Sequence, residues 1–288
     1  MYDITIIGAG PAGISAGLYT KRANLSTLII YKKESNLEKA ENIQNYYGFK
    51  NGINGKDLYE DGIEQAKNIG IELLEEEVVE IQKQENIFLI KTTKNEIQTK
   101  AVILSTGNKK KTPQIEGITE FEGKGISYCA ICDGFFYTGK NVAVLGNGNY
   151  AINETMELQN IAKTVTILTN GKEEPQYRAE NVNVNSKTIK KIDGDKTVEK
   201  VDFQDGSQID VSAVFVAEGV AGSSDFAKKI GAITEKDKIV VDENMKTNIK
   251  GLYACGDCTG GLLQVAKAVY EGAKAGLQAI DYVRKEDF

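Results

Sequence analysis

The pattern of apolar and polar residues opens with a strand that leads directly into a glycine-rich turn. Residues 2–7 are rich in β-forming side chains and predict a buried strand. After the glycine-rich turn, small residues dominate the stretch from about Pro11 to Arg22, which predicts a helix packed closely against the sheet. Apolar residues 25–31 predict the next strand. A strand, a helix and a strand in this order are typical of a βαβ unit with a parallel sheet.

The same pattern returns in the second half of the chain. Residues 141–145 predict a strand, 146–151 a glycine-rich turn that opens a helix to about Asn160, and 164–168 the next strand. The other predicted elements are a helix over 57–69, short strands over 71–105, a strand-rich stretch over 182–217, a strand and loop over 251–256, and a long helix over 264–284. The chain therefore carries two βαβ units.

A domain boundary follows the first unit, where three consecutive lysines at 109–111 and then Pro113 interrupt the pattern. The length of 288 residues fits two domains. The predicted fold class is α/β, with two Rossmann-like dinucleotide-binding domains and the second inserted into the first. The first domain comprises residues 1–111 and 245–288, and the second comprises residues 112–244.

The charge balance limits the partners of this chain. With 35 basic and 41 acidic residues the net charge is −6, which argues against nucleic acid because that partner needs a basic face. No segment has the length and apolarity of a membrane span. The N-terminus lacks the basic region, apolar core and cleavage site of a secretory signal. We therefore expect a cytoplasmic protein with no membrane segment.

The absence of histidine and the presence of four cysteines narrow the chemistry. Without histidine there is no Ser-His or Cys-His nucleophile pair and no histidine-ligated metal. Acid–base chemistry has to come from Asp, Glu, Lys, Tyr or Cys. Cysteines in a reducing compartment serve catalysis or metal binding more often than structural disulfides.

The first glycine-rich turn has the spacing of a phosphate-binding motif. Gly8 permits the tight turn, Gly10 allows close approach of a pyrophosphate, and Gly13 lets helix and strand pack closely. The helix N-terminus supplies N–H groups and the positive end of a dipole. We predict a bound dinucleotide, and the alternative is a tight turn without a ligand. The acidic residue that such a motif uses for the ribose is not assigned here, because two lysines and Glu34 follow Tyr31 at the end of the second strand.

Cys129 and Cys132 form a CxxC pair that can cycle between dithiol and disulfide. The adjacent Asp133 is a candidate proton donor and acceptor, since histidine is absent. The alternative is one half of a zinc site, because Cys255 and Cys258 form a second CxxC. Roughly 120 residues separate the two pairs, far more than in zinc ribbons, so we expect no metal. We expect the second pair to be small buried residues.

Four motifs occur in the order seen in low-molecular-weight flavin thioredoxin reductases. They are GAGPAG at 8–13, STG at 105–107, CAICDG at 129–134 and GLYACGD at 251–257. The chain resembles this family over nearly its whole length, and CAICDG is the most specific part. The resemblance implies a glutathione-reductase-type fold, FAD as cofactor, thioredoxin as the disulfide substrate and a homodimer.

The resemblance also implies roles for individual residues. Cys132 would face the flavin, Cys129 would attack thioredoxin, and Asp133 would be the acid–base residue. The first domain would bind FAD, and the second would carry the cysteine pair on a degenerate pyridine-nucleotide fold. The implied FAD contacts are Gly8, Gly10, Pro11, Ala12, Tyr31, Gln44, Asn45, Val79, Thr106, Gly107, Gly256, Asp257, Gln264 and Val265.

The second glycine-rich turn departs from the family pattern. Members that use NADPH carry His-Arg-Arg after the following strand, and these groups hold the 2′-phosphate. Residues 169–171 of this chain read TNG and are followed by Lys172, and a lone lysine replaces an arginine pair poorly. No acid is present there for the ribose of NAD, and Tyr150 places a ring where a pyrophosphate needs close approach.

This departure resembles the ferredoxin-dependent flavin thioredoxin reductases, so ferredoxin is the predicted electron donor. Lysines 109–111 and 32–33 are candidate docking charges, and solvated loops are the equal alternative for each. An NADPH- or NADH-dependent thioredoxin reductase with atypical contacts is the alternative function. A flavin electron-transfer protein or a nucleotide-binding protein without disulfide reductase activity is a further alternative.

Overall fold

The computed structural model of the chain describes residues 1–33, 35–107, 113–128, 130–218, 222–235 and 238–286, with the backbone alone at Asn36, Lys39 and Cys132. The chain forms two compact units. One comprises Met1–Lys109 and Gly222–Phe288, and the other comprises Lys110–Ala221. The second unit is therefore inserted into the first.

The described ranges contain seventeen strands and six α-helices. The strands are β1 (Tyr2–Ile7), β2 (Thr27–Tyr31), β3 (Glu72–Glu75), β4 (Val78–Gln84), β5 (Ile87–Thr92), β6 (Glu96–Leu104), β7 (Ile126–Ser127), β8 (Asn141–Leu145), β9 (Thr164–Leu168), β10 (Val182–Asn185), β11 (Ile189–Asp193), β12 (Lys200–Phe203), β13 (Gln208–Asp210), β14 (Ala213–Val216), β15 (Thr234–Glu235), β16 (Lys238–Ile239) and β17 (Leu252–Ala254). The helices are α1 (Pro11–Arg22), α2 (Gly55–Asn68), α3 (Ala130–Asp133), α4 (Asn149–Leu158), α5 (Ser223–Lys229) and α6 (Val265–Lys285). Among these helices, none has both the length and the apolar character needed to cross a membrane.

The first unit is built on a sheet that has seven strands over the described residues. Its order is β3-β2-β1-β6-β5-β4, and β17 adds beside β6. The strands β2, β1, β6 and β17 run parallel, with Ile7 beside Ile30 and Leu104, and Ala254 beside Leu104. Helices cover such a sheet on its faces, which is why its inner strands read as continuous apolar runs. Ile29 and Ile30 on β2 are fully buried.

The helix α1 links β1 to β2 and packs closely against α6. Small residues of α1 and α6 allow α1 to pack closely against both α6 and β2. A Cβ on Gly272 of α6 would lie only 2.1 Å from Ala12 O, and one on Gly17 would lie 2.9 Å from Ile29 Cδ1. Ser15 Oγ donates a hydrogen bond to Val269 O at 2.7 Å, which fixes the two helices together.

The second unit contains a parallel sheet of five strands within the described part of the chain, in the order β10-β9-β8-β14-β7. The elements β8, α4 and β9 form the second βαβ unit, with Leu145 beside Leu168 and Val216 at the carboxyl edge. The antiparallel strands β11, β12 and β13 form a separate small sheet. Its apolar residues, such as Val201 and Phe203, share one core with Leu145 and Leu168.

The second boundary between the units differs from the predicted position between residues 244 and 245. Residues 222–244 belong to the first unit. Ser223 and Thr106 exchange hydrogen bonds between backbone N–H groups and hydroxyls at 2.8 and 3.0 Å, and Lys238 Nζ donates to Asp257 O at 3.0 Å. The Ser223–Thr106 contact spans 117 positions, so no local pattern in the sequence could indicate it.

Candidate cofactor and redox sites

Three loops of the first unit meet at the carboxyl edge of its parallel strands. They follow β1, β6 and β17, which are neighbours in the sheet. A Cβ on Gly8 would lie 2.5 Å from Ser105 O and 3.0 Å from Thr106 Cα, and one on Gly256 would lie 2.9 Å from Ala12 Cβ. Ligands of open α/β sheets bind in the crevice at this edge. The structure therefore brings together three motifs that the sequence keeps far apart.

The start of α1 has the features of a phosphate site. Gly10 precedes the helix in an extended conformation, and within the described residues no side chain caps the first turn. A Cβ on Gly10 would meet nothing within 4 Å, so the space beside its backbone is open. Pro11 is the first helical residue, where its missing N–H breaks no hydrogen bond. The N–H groups of this turn and the open space beside them fit a pyrophosphate such as that of FAD.

The turn Gly256–Thr259 is fixed by an ion pair that was not predicted from the sequence. Lys267 Nζ donates to Gly256 O at 2.9 Å and to Thr259 Oγ1 at 3.1 Å. Glu271 Oε2 accepts from Gly256 N at 2.8 Å and from Thr259 Oγ1 at 3.0 Å. The two charges lie 3.0 Å apart and are 14% and 12% exposed. This pair fixes the turn that carries Asp257. The spacing of Lys267 and Glu271, four residues apart on a predicted helix, could have indicated the ion pair from the sequence.

Asn45 and Gln264 lie together although 219 residues separate them. Asn45 Nδ2 donates to Gln264 Oε1 at 2.7 Å. Gln264 immediately precedes α6, which begins at Val265. Both partners of the hydrogen bond are exposed, as is Gln44. The structure thus joins two of the residues that are predicted to lie beside the flavin ring.

The remaining predicted FAD contacts lie on strands or in the loop after β6. Tyr31 ends β2 in register with Glu75 of β3. Burial raises the pKa of the Tyr31 hydroxyl, and the Glu75 carboxylate raises it further, so this hydroxyl stays a neutral donor. Val79 lies in β4, at the edge of the sheet. Gly107, with φ +74°, follows Thr106 and has open space where a Cβ would be.

Cys255 and Cys258 are buried thiols on the loop that follows β17. They are 0% and 3% exposed. Cys258 Sγ donates to Cys255 O at 3.2 Å and lies 3.5 Å from Leu104 O. Burial raises the pKa of Cys255 well above its usual range and that of Cys258 to about 11, so neither is a ready nucleophile. Over the described residues, no group of three or more potential ligands could hold a metal ion.

The predicted redox pair falls within the stretch of chain that forms the second unit, after β7. Cys129 and the side chain of Cys132 lie outside the described residues. Asp133 is described, and its Oδ2 accepts a hydrogen bond from Ser127 Oγ at 2.7 Å. Burial, and then the charge of Asp133, raise the pKa of Tyr137. A serine on β7 therefore holds the carboxylate that follows Cys132 in the chain.

The second glycine-rich turn keeps the backbone of a nucleotide site. Gly146 has φ +152°, and a Cβ there would lie 2.3 Å from Ala217 O. After β9, Asn170 and Gly171 both have positive φ, of 51° and 79°. Asn170 Oδ1 accepts a hydrogen bond from Ile189 N at 2.8 Å, which ties this turn to β11. The turn at 169–172 is therefore engaged with its own unit.

The lone basic residue of that turn is also paired. Lys172 Nζ lies 2.7 Å from Glu218 Oε1, and the two side chains are 50% and 18% exposed. Thr169 Oγ1 donates to Lys172 O at 2.7 Å, which closes the turn on itself. The cationic group of this turn therefore has a carboxylate partner within the second unit.

Tyr150 requires a correction to the sequence-based prediction. Its side chain is only 3% exposed, and its hydroxyl donates to Tyr128 O at 3.0 Å. A ring buried in this way does not stand in a surface cleft, so it is not the obstacle to a pyrophosphate that the sequence predicted. The first turn of α4 directs this ring toward the segment that precedes Cys129, a tertiary contact that no local pattern indicates.

The profile of the pyridine nucleotide-disulphide oxidoreductase family matches residues 2–272, and the chain belongs to this family. Thioredoxin reductase from Ureaplasma parvum is 34% identical over 309 aligned positions, which cover 100% of this chain and 99% of that protein. The predicted class, a flavin disulfide oxidoreductase of the thioredoxin reductase type with FAD as cofactor, is confirmed by these relationships.

Two solved structures share the fold of this chain. The atypical thioredoxin reductase from Desulfovibrio vulgaris Hildenborough has 38% identity and a TM-score of 0.91, with 99% of each chain covered. A ferredoxin-flavin thioredoxin reductase from Clostridium acetobutylicum has 33% identity and a TM-score of 0.71, again with 99% of each chain covered. Together with the parallel sheet in each unit, these likenesses confirm the predicted fold class.

Proposed function

We propose that this chain is a thioredoxin disulfide reductase that receives its electrons from reduced ferredoxin. The observation that carries the choice of donor is the pairing of Lys172 with Glu218 at 2.7 Å. The 2′-phosphate of NADPH is best held by free cationic donors, above all by arginine. A lysine already neutralised by a carboxylate is a weak substitute. The likeness to the ferredoxin-flavin thioredoxin reductase from Clostridium acetobutylicum supports the same donor.

In this proposal the first unit holds FAD at the edge where its three loops meet. Gly10 and the first-turn N–H groups of α1 would hold the pyrophosphate. Asp257, on the turn fixed by Lys267 and Glu271, would bind the ribitol chain. When bound, FAD supplies the chemistry that turns single electrons from a donor into the pair that reduces a disulfide.

The second unit would carry the disulfide exchange. Two electrons and two protons break the Cys129–Cys132 bond and give two thiols. The Cys129 thiolate then attacks the disulfide of thioredoxin, which forms a mixed disulfide and releases one thioredoxin thiolate. Cys132 attacks the sulfur of Cys129, restores the internal disulfide and releases reduced thioredoxin. Asp133, held by Ser127 Oγ at 2.7 Å, would accept a thiol proton and return one to the leaving thiolate.

The second candidate is an NADPH- or NADH-dependent thioredoxin reductase with atypical contacts. The observation that favours it is the backbone of the second glycine-rich turn. Gly146 keeps positive φ, and α4 follows Gly148 with no side-chain cap in the described part of the unit. A pyrophosphate would then be held by backbone N–H groups alone.

The test is to mix the anaerobic oxidised holoprotein with NADPH, NADH or reduced ferredoxin and to follow flavin absorbance and thioredoxin thiols. We expect rapid bleaching and thiol production with ferredoxin alone. Cys129→Ser should keep the bleaching and abolish thioredoxin reduction. Lys172→Gln is the matched control and should leave the ferredoxin rate unchanged. Rapid bleaching by NADPH that is lost in Lys172→Gln would reject ferredoxin as the sole donor and favour the second candidate.

We also propose a homodimer located in the cytoplasm. The homodimer is implied by the resemblance to the family. The free buried thiols of Cys255 and Cys258 suit a reducing compartment. Light scattering of the purified holoprotein should give twice the chain mass, and a mass of one chain would contradict the dimer.

A further inference from the structure

The helix α4 holds the segment that carries the predicted redox pair. Tyr150 Oη donates to Tyr128 O at 3.0 Å. Glu154 Oε2, one helical turn further along, accepts a hydrogen bond from Ala130 N at 2.6 Å. Tyr128 and Ala130 are the residues immediately before and after Cys129 in the chain. Two side chains of one helix therefore hold the backbone on either side of the Cys129 position.

Both side chains are buried within the second unit. Tyr150 is 3% exposed and Glu154 is 1% exposed. A carboxyl group buried this deeply needs hydrogen-bond donors to offset its desolvation. Ala130 N is such a donor, because it opens α3 and has no partner within that helix. The buried carboxyl group and the start of α3 thus satisfy each other.

Close packing adds to this attachment just after Cys132. A Cβ on Gly134 would lie 2.9 Å from Ile161 Cδ1 and 3.1 Å from Leu158 Cδ2. Leu158 ends α4, and Ile161 follows it. Residues 128–134, which we call the redox segment, are therefore held at three described positions, by hydrogen bonds at Tyr128 and Ala130 to α4 and by close packing of Gly134 against Leu158 and Ile161.

We propose that Tyr150 and Glu154 are positioning residues that set the reduction equilibrium of the Cys129–Cys132 couple. This inference rests on the proposed function, in which that pair cycles between dithiol and disulfide. A disulfide forms only within a narrow range of separations and angles. A backbone that is already held loses less conformational freedom when the bond closes, which favours the disulfide.

The equilibrium can be measured by placing the holoprotein in buffers of reduced and oxidised dithiothreitol. The protein disulfide is reduced to two thiols, while the dithiothreitol dithiol is oxidised to its cyclic disulfide. Acid quenching, alkylation and mass spectrometry of the peptide with Cys129 and Cys132 then give the fraction reduced. We expect Tyr150→Phe and Glu154→Leu each to favour the dithiol by about fivefold, which is about 20 mV for a two-electron couple.

Two further variants separate positioning from a general loss of structure. Glu154→Gln retains an oxygen acceptor for Ala130 N, so we expect it to restore an equilibrium close to that of the wild type. Tyr177→Phe removes a hydroxyl that donates to Gln159 Oε1 at 2.6 Å, beyond the other end of α4. This matched control should not move the equilibrium. Tyr150→Phe removes a single hydroxyl and keeps the inference testable if Glu154→Leu does not fold.

The outcomes distinguish the inference from the function on which it rests. A wild-type equilibrium in Tyr150→Phe would overturn the inference and leave the proposed function intact. An equal shift in Tyr177→Phe would also overturn it, because the effect would then belong to α4 as a whole. A wild-type protein without any reversible couple at Cys129 and Cys132 would overturn the proposed function itself.

Discussion

The two glycine-rich turns of this chain have similar backbone conformations but different neighbouring side chains. Residues 8–13 lead from β1 into α1, and residues 146–151 lead from β8 into α4. Each helix follows a glycine in an extended conformation, Gly10 or Gly148, without a side-chain cap among the described residues. Beside Gly10 the space is open, whereas the first turn of α4 is tied to the redox segment by Tyr150. The two helix N-termini therefore share a backbone conformation and differ in the side-chain contacts beside them.

Each unit also has a Lys–Glu ion pair at its candidate site, and the two pairs differ in how far they are exposed to solvent. Lys267 and Glu271 form a pair that is 14% and 12% exposed and fixes the loop after β17. Lys172 and Glu218 form a pair that is 50% and 18% exposed in the second unit. The first pair fixes a turn of the candidate FAD site, while the second gives the cation beside the second turn a carboxylate partner. Under the proposed function, this difference in charge placement separates a unit that binds a dinucleotide from one that does not.

The largest effect is expected from the largely buried ion pair of Lys267 and Glu271. Glu271→Gln should lower the free energy of unfolding by about 3 kcal/mol, because Lys267 is left mostly out of solvent without its counter-charge. The turn that carries Asp257 should loosen, so the flavin-to-protein absorbance ratio should fall after desalting. Unfolding in urea gives the free energy.

The matched change in the second unit is Glu218→Gln. It should cost only about 0.5 kcal/mol, because its partner is half exposed and can be solvated. Its flavin content should match that of the wild type. Equal losses of stability in the two variants would show that the contrast between the ion pairs is wrong.

A smaller effect is expected where the two turns differ by one methyl group. Gly13 has no room for a side chain, since a Cβ would lie 1.9 Å from Gly8 O, whereas the matching position of the second turn is Ala151. Gly13→Ala should lower stability by about 2 kcal/mol through overpacking and should reduce FAD content. The reverse change, Ala151→Gly, should cost about 1 kcal/mol through helix propensity and leave FAD content unchanged. Full stability and flavin content in Gly13→Ala would contradict the close packing.

The smallest effect concerns how each βαβ unit joins the starts of its two parallel strands, β1 to β2 and β8 to β9. Asp3 accepts hydrogen bonds from Ser26 N and Oγ at 2.8 Å and pairs with Lys100 at 2.8 Å. The second unit uses a neutral contact, in which Thr164 Oγ1 donates to Asn141 Oδ1 at 2.9 Å. Burial opposes the ionisation of Asp3, but the hydrogen bonds from Lys100 and Ser26 outweigh it and lower its pKa.

This difference predicts that only the first junction depends on pH. A carboxyl group with a lowered folded-state pKa stabilises the protein above its unfolded pKa of about 4, and this stability is lost as the pH falls through the folded pKa. Asp3→Asn should therefore cost about 1 kcal/mol at pH 7 and progressively less below pH ~4. Asn141→Ala should lower the free energy of unfolding by the same amount at every pH in this range, because the Thr164–Asn141 contact is neutral. Unfolding free energies measured from pH 3 to 7 test both, and a constant cost for Asp3→Asn would refute the assignment.

The sequence by itself determined the order of the main elements and the chemistry that they could carry. The helix Pro11–Arg22 and the strands Asn141–Leu145 and Thr164–Leu168 have their predicted bounds, because each is signalled by local periodicity and by glycine or proline at its ends. The glycine-rich turns and the CAICDG segment are also local, so the family, the fold class and the cofactor followed from them.

Only the tertiary structure decided which distant residues lie together at the candidate sites. It joined Asn45 to Gln264, grouped residues 222–244 with the first unit, and paired Lys172 with Glu218. It also turned the ring of Tyr150 inward to the segment before Cys129. These contacts join residues between 22 and 219 positions apart, and a local pattern carries no information on partners at such separations.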